Sequence, residues 1–283
     1  MKRVLSIQSS VTYGFVGNNV ASPVLTSMGI YPLAVNSVML AAHPGYGIVA
    51  GQATPASHIA AILEGLVALG IVPDIDATIS GYLGHADQVE IVANLITTWR
   101  NTGATGTYIC DLVLGDAGKL YVDQTLAVLM IDQLLPLANI ITPNQFELAY
   151  LSDRPVTGSD SAIMAGQHLL ASQAGLNAVI ATGISNGDDF VHDILITRMT
   201  QKSWQYDKRP SGISGSGDLF TSLLAGGLVQ GMPLDTATAR ASNLAQAVIA
   251  RSDKPKELAL LENLHLFSTG NQTDKPNRQA NQD

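Results

Sequence analysis

Short apolar runs rich in β-branched residues alternate along this chain with stretches whose apolar positions recur three or four residues apart. The runs Val4 to Ser9, Leu33 to Val38, Ala77 to Ser80, Tyr108 to Asp111, Ile140 to Thr142 and Ala178 to Thr182 predict strands. Between them, Ile59, Ile62, Leu63, Leu66 and Leu69, and again Val89, Val92, Leu95 and Ile96, mark apolar helix faces. Connections of this length return the chain to a parallel neighbour by a right-handed crossover. The pattern therefore predicts an open α/β sheet, mostly parallel, with helices on both faces.

After Gly187 the rhythm changes. Phe190 to Thr200 and Ser203 to Tyr206 read as an antiparallel hairpin at a sheet edge, and helix resumes from Asp218 through Leu228 and from Asp235 to about Arg251. Residues 268–283 are Asn, Gln, Asp and Lys with almost nothing apolar, which predicts a disordered tail. With no internal repeat and no linker, residues 1–267 are expected to form one domain.

Composition narrows the function classes. The formal net charge is −8, and Lys and Arg are sparse and scattered, which excludes a nucleic-acid binder. Charged residues make up 13% of the chain against a usual share of about 25%, and none occurs between Val4 and Leu63. Gly14, Gly17, Pro23, Gly29, Pro32 and Pro44 break that span well short of the roughly 18 apolar residues a membrane helix needs. A surface so poor in charge suggests burial against a second copy. The start Met1-Lys2-Arg3 is not followed by a full signal-peptide core, so a cytoplasmic protein is expected. The single Cys110 allows neither an internal disulfide nor a cysteine-cluster metal site, and reads as a small core residue.

In open α/β sheets ligands sit beyond the carboxyl ends of the strands. Ser9 and Ser10, Gly81-Tyr82, Asp111, Thr142-Pro143-Asn144 and Thr182-Gly183 all fall there. The most informative segment is Gly212-Ile213-Ser214-Gly215-Ser216-Gly217-Asp218, a glycine-rich turn that feeds an apolar helix. Converging backbone amides and a helix N-terminus form an anion cradle. Asp218 in that first turn has two readings. It caps the helix, or it takes a proton from a hydroxyl while the amides hold a transferring phosphoryl group. The Walker and dinucleotide glycine fingerprints are both absent, so a phosphate site must be built some other way. Asp111, Asp116 and Glu147 are hard oxygen donors suited to Mg²⁺ held through water and phosphate. Asn144 and Glu147 also have the spacing of a capping box, and the two roles are compatible.

Seven segments together carry a resemblance. They are Ser6-Ile7-Gln8-Ser9, Tyr13-Gly14-Phe15-Val16-Gly17-Asn18, Ala34-Val35-Asn36-Ser37-Val38, Ser80-Gly81-Tyr82, Cys110 to Asp116, Ile141 to Leu148 and Gly215 to Phe220. In this order, from Ser6 to about Arg251, they resemble the pyridoxal kinase branch of the ribokinase-like family. The resemblance implies a three-layer α/β/α ribokinase-like fold, a homodimer, and ATP-dependent phosphorylation of the 5′-hydroxyl of pyridoxal, pyridoxine or pyridoxamine.

By the same resemblance Asp218 is the general base, and the amides of Gly215, Ser216 and Gly217 form the anion hole. Asp116 and Glu147 hold Mg²⁺ largely through water. Asp111, Asn144 and Thr182 lie at the ATP phosphates, with Asp111 and Thr142 beside a monovalent cation, K⁺. Ser9 meets the pyridine ring, and Val16, His43 and Tyr82 shape its pocket. The glycine-rich loop from Ala42 to Gly51 is expected to act as a mobile flap. Departures from the family pattern are Leu112 for Pro, Pro44 for Thr, Ser216 for Thr and Gly183 for Ser or Thr. Pro44 withdraws a hydroxyl and an N–H from the substrate loop. A sister kinase for hydroxymethylpyrimidine or a small sugar alcohol would use the same Asp218, and only Ser9, Val16, His43 and Tyr82 would separate the two. A non-catalytic vitamin or nucleotide binder would have no need of Asp218, Asp116 and Glu147.

Overall fold

The structure is a computed structural model that describes residues 1–187, 189–209, 213–253 and 256–268. The chain opens with β1 (Arg3–Tyr13), α1 (Asn18–Ser27) and β2 (Tyr31–Ala42), then the short β3 (Gly51–Ala53) and α2 (Ala56–Ala68). Next come β4 (Ala77–Ser80), α3 (Asp87–Asn101) and β5 (Thr107–Cys110), followed by a small hairpin of β6 (Gly115–Asp116) and β7 (Lys119–Leu120). After α4 (Gln124–Gln133) the chain forms β8 (Ile140–Ile141), α5 (Gln145–Ser152), α6 (Ser159–Ser172) and β9 (Ala178–Ile184). It continues through β10 (Phe190–Thr197), β11 (Gln201–Asp207), α7 (Ser216–Val229) and α8 (Leu234–Ile249).

Among the described residues nine strands form one sheet in the order β11-β10-β9-β8-β5-β4-β1-β2-β3. The six from β9 to β2 run parallel, while β3 and the β10–β11 hairpin close the two edges antiparallel. The expected edge hairpin is present, with its first strand ending at Thr197 rather than Thr200.

Strand alternation sorts the core into two layers. Leu5, Ile7, Tyr108, Cys110, Ile141 and Val179 face α2 to α6, while Val4, Ala77, Ile79, Ile109, Ile140 and Ile180 face α1, α7 and α8. This is the three-layer α/β/α arrangement of the ribokinase-like fold. Cys110 is buried in the first layer, as its residue type predicted.

Two departures from the predicted strands bear on the site. The predicted strands Val4 to Ser9 and Leu33 to Val38 run on to Tyr13 and Ala42, forming a lip beyond the sheet. Opposite Ser9 the partner strand β2 carries an extra residue, so that Gln8 pairs with Asn36 but Ser10 with Met39. A second irregularity sits at the end of β9. His192 pairs with Ile184 but Ile194 with Ala181, which leaves Thr182 and Gly183 opposite Asp193. The polar stretch expected to form a disordered tail lies, from residue 269 onward, outside the described residues.

Candidate active site

The helix α7 begins where the glycine-rich turn ends. Gly215 precedes its first residue with φ +88°, and a Cβ there would stand 2.0 Å from the Phe15 carbonyl oxygen. Only glycine fits, because both the left-handed backbone and the close approach of the 15–17 loop exclude a side chain. Gly17, the residue that caps α1, is held the same way. Its φ is +54°, and a Cβ would meet the Ser9 carbonyl oxygen at 2.1 Å. The starts of α1 and α7 therefore meet beside Ser9 of β1, joined through the 15–17 loop.

Asp218, in the first turn of α7, lies in that region. Burial pushes its carboxyl above the ordinary value, and the Gly17 amide opposes the push. A carboxylate so placed is a stronger base than a solvated one. Ser216 and Gly217 are the first two residues of the helix, and a Cβ on Gly217 would be 3.8 Å from Asp111 Oδ2.

Asp111 follows β5 and is 5% exposed. Burial drives its carboxyl well above the usual range, and the charges of Glu147 and Asp218 push the same way. Thr221 donates to Asp111 Oδ2 at 3.2 Å, and the hydroxyls of Thr221 and Thr142 are 3.2 Å apart. None of Asp111, Asp116, Glu147 and Asp218 forms an ion pair with a Lys, Arg or His among the described residues.

Glu147 is buried at the start of α5, where Asn144 and Glu147 form the capping box the spacing predicted. Glu147 Oε2 accepts from the Asn144 amide at 3.0 Å, while Oε1 accepts from Leu114 at 2.8 Å and Gly115 at 3.4 Å. Burial still raises its carboxyl to about 7, and the nearby Asp116 adds to the rise. The 113–115 loop is strained at Val113, a β-branched residue with φ +44°. Strain at that point aims successive amides at Asp111 and Glu147. Asp116 is exposed on β6, its Oδ1 accepting from the Ala117 amide at 2.7 Å.

Asn144 Nδ2 donates to the Gly115 carbonyl at 2.8 Å, and Asn144 pairs with Thr182 in a parallel bridge that extends β8 and β9. Thr182 is partly exposed at the sheet's carboxyl edge. Ser9 and Val16 are nearly buried and Tyr82 is half-buried. His43 Nδ1 accepts from the Gly45 amide at 3.1 Å and lies 3.3 Å from Ser214 Oγ, which leaves the neutral ring's proton on Nε2. Burial, then Lys256, lowers the His43 pKa.

The loop from Ala42 to Gly51 contains a single 3₁₀ turn, Pro44–Tyr46. Tyr46 packs edge-on against Tyr13 at 5.6 Å, and Lys256 Nζ sits 5.7 Å from the Tyr46 ring centre. The loop is therefore tied to Ser214, Tyr13 and Lys256.

Mg²⁺ and a monovalent cation were expected here. Among the described residues no three His, Cys, Asp or Glu side chains converge as a ready-made metal site. The residues nevertheless fit cations: acidic groups raise one another's pKa values, no cationic side chain pairs with them, and Thr142 and Thr221 add neutral oxygens. Both Glu147 oxygens accept from backbone amides, and each keeps a further lone pair for a cation or a water of its shell.

Thr221 was missed in the sequence, although its position three residues after Asp218 puts both on one helix face. Gly17 stood in a quoted segment without a role. Tyr121, whose hydroxyl is raised by burial and by Asp116 and Glu147, and Lys256 gave no local signal.

A family model described as phosphomethylpyrimidine kinase matches residues 24–260. The chain is 35% identical over 250 residues to a pyridoxine/pyridoxal/pyridoxamine kinase of Bordetella avium, covering 87% of this chain and 84% of that one. Its structure is similar to the crystal structure of pyridoxal kinase from Entamoeba histolytica, with TM-score 0.89, 27% identity and coverage of 94% and 95%. It is also similar to pyridoxal kinase from Leishmania donovani in complex with ADP and pyridoxamine, with TM-score 0.87, 28% identity and coverage of 94% and 96%.

Proposed function

Because the chain belongs to the ribokinase-like superfamily as a relative of the pyridoxal kinases, we propose that it transfers the terminal phosphoryl group of ATP to the 5′-hydroxyl of pyridoxal, pyridoxine and pyridoxamine. One observation carries the residue-level reading. Asp218 stands in the first turn of α7, just after a glycine cap pressed against the 15–17 loop, and the Gly17 amide of that loop reaches its carboxyl. Asp218 takes the proton of the 5′-hydroxyl as its oxygen attacks the γ-phosphorus in line, and ADP leaves. The amides of Gly215, Ser216 and Gly217 hold the equatorial oxygens, whose charge grows during transfer.

Ser9, Val16, His43 and Tyr82 receive the ring on one side of Asp218. Asn144, Thr182 and Asp111 receive the phosphates on the other. Mg²⁺, when bound, spreads the phosphate charge, with Asp116 and Glu147 holding its water shell. Asp111, Thr142 and Thr221 suit K⁺. The His43–Ser214 contact supports a flap that excludes water from ATP.

The matching family model also supports a second reading, hydroxymethylpyrimidine as the acceptor. One experiment separates the readings: incubation with ATP, Mg²⁺ and a panel of B6 vitamers and hydroxymethylpyrimidine, with the phosphorylated product identified by mass. Phosphorylated vitamers are expected, and a phosphorylated pyrimidine alone would overturn the assignment. Asp218→Asn should lower kcat by about 10² to 10⁴ while ATP still binds. An undiminished rate removes Asp218 as the base.

A homodimer fits the same reading. The uncharged span from Val4 to Leu63 exposes Tyr13, Met39, Ile48, Val49 and Ile62, and sedimentation equilibrium reads this directly. A cytoplasmic location agrees with the lone, buried Cys110. No helix among the described residues is long and apolar enough to cross a membrane.

A further inference from the structure

Asp193 is a carboxylate in the wrong place for an ordinary strand residue. It lies in the middle of β10, on the face packed by α8, and is 3% exposed. Among the described residues it forms no ion pair. A buried carboxylate is expensive to keep unless something depends on it. Nothing in the assigned site uses it, and its neighbour Leu195 shows what the position would otherwise hold.

What Asp193 does touch is the irregularity at the end of β9. Two residues, Thr182 and Gly183, stand opposite it where a regular ladder has one. Gly183 takes φ +64°, a left-handed turn that removes its amide from the ladder. The Gly183 N–H donates instead to Asp193 Oδ1 at 2.9 Å. The carboxylate thus replaces the missing strand partner. On the far side of the bulge Thr182 is fixed by its amide, which donates to the Pro143 carbonyl at 2.9 Å, and by its bridge to Asn144.

We propose that Asp193 is a positioning residue for the nucleotide subsite: by accepting the Gly183 amide it holds the β9 bulge in the shape that presents Thr182 beside Asn144. The proposal rests on the reading of Thr182 as a phosphate-side residue. It adds that the presentation of Thr182 depends on a side chain from the neighbouring strand, on the opposite side of the bulge from the nucleotide.

The charged and titratable groups around Asp193 are few. His192 precedes it on β10, and Tyr206 of β11 has its hydroxyl pushed well up, chiefly by burial and then by the Asp193 charge. The Ser242 hydroxyl of α8 lies against both groups and eases the burial of each. None of these supplies a cation that would make Asp193 half of a buried salt bridge. Its hydrogen bond to the Gly183 amide is the contact that ties it to the bulge of β9.

The test is a steady-state comparison of Asp193→Val, Asp193→Asn, Gly183→Ala and Thr182→Val. Asp193→Val removes the acceptor and should raise the KM for ATP by about tenfold, a loss on the scale of one hydrogen bond to a charged group. The vitamer KM should stay unchanged and kcat within a few-fold. Asp193→Asn keeps an oxygen for the Gly183 amide and should restore the ATP KM. A purely structural Asp193 would lower the melting temperature and the active fraction in both variants and leave the ATP KM alone, and that result overturns the proposal.

Should Asp193→Val not fold, Gly183→Ala tests the same bulge. Its methyl would meet nothing within 4 Å, so only the left-handed backbone is strained. An unchanged ATP KM in that variant also counts as refutation. Thr182→Val separates the layers. If it leaves the ATP KM untouched, the phosphate-side reading of Thr182 fails. If it raises the ATP KM while the Asp193 and Gly183 variants do not, the positioning role fails alone.

Discussion

Replacing Gly215 with alanine sets two costs against each other, and a second glycine separates them. Gly231, just past the end of α7, has φ +86° with open space where a Cβ would be. Gly231→Ala therefore pays only for the left-handed backbone, about 1–2 kcal/mol, or a fall in Tm of roughly 2–4 °C for each kcal/mol in a chain of this size. Gly215→Ala pays the same strain and also drives its methyl to 2.0 Å from the Phe15 carbonyl oxygen. That oxygen belongs to backbone and cannot swing aside. Either the start of α7 or the 15–17 loop must shift by about 1 Å, a displacement that costs on the order of 10²-fold when it moves a reacting group.

The expected pair of results is a modest Tm loss with unchanged kcat for Gly231→Ala, and a kcat loss of about 10²-fold, beyond what its Tm loss explains, for Gly215→Ala. Differential scanning fluorimetry and a coupled ADP-release assay under saturating substrates read both. If Gly215→Ala keeps kcat within about threefold of the unaltered protein, the transferring phosphoryl group is not held by this turn, and the cradle argument fails.

Two further outcomes follow from groups away from that turn. In metal-free protein Glu147 holds its proton up to about 7 against an ordinary 4.5, so its contribution to stability is fully present below 4.5 and is lost as pH rises towards 7. The loss amounts to about 3 kcal/mol at most, and the raised Asp111 adds in the same direction. Urea denaturation across this range with chelator present should show the slope, and Glu147→Gln should flatten it; equal slopes would refute the burial argument. Arg198 donates to the carbonyls of Leu176 at 2.6 Å, Leu170 at 2.9 Å and Gln173 at 3.0 Å, closing the end of α6. Arg198→Ala should cost about 1–3 kcal/mol in denaturant titration with activity per folded molecule preserved, and an unchanged midpoint would show the cap to be idle.

The parallel strands were legible because burial on both faces writes itself as short, dense apolar runs. Ala77–Ser80 matches β4 at both ends for this reason. The lip formed by β1 and β2 was not legible. Its residues Ser10 to Tyr13 and Met39 to Ala42 are mostly exposed or half-buried and are held by the register between the two strands rather than by burial on both faces. The short β3 and the β6–β7 hairpin hide in glycine-rich stretches, where strand pairing depends on distant partners. In the site, the glycine turn and the capping box were visible because their chemistry is local. The contact of Thr221 with Asp111 spans 110 positions, and that of Asp193 with Gly183 crosses between strands. Such partners are set by sheet register, which a linear pattern does not carry.

The extra residue opposite Ser9 and the one opposite Asp193 stand near the carboxyl ends of β2 and β9. Each resets the inward–outward phase of the residues that follow it, so the phase of the strand segments beneath no longer constrains what the strand ends display. Lineages descended from such a scaffold are free to exchange the molecules gripped there by insertion, deletion or substitution at those ends, with the interior alternation inherited intact.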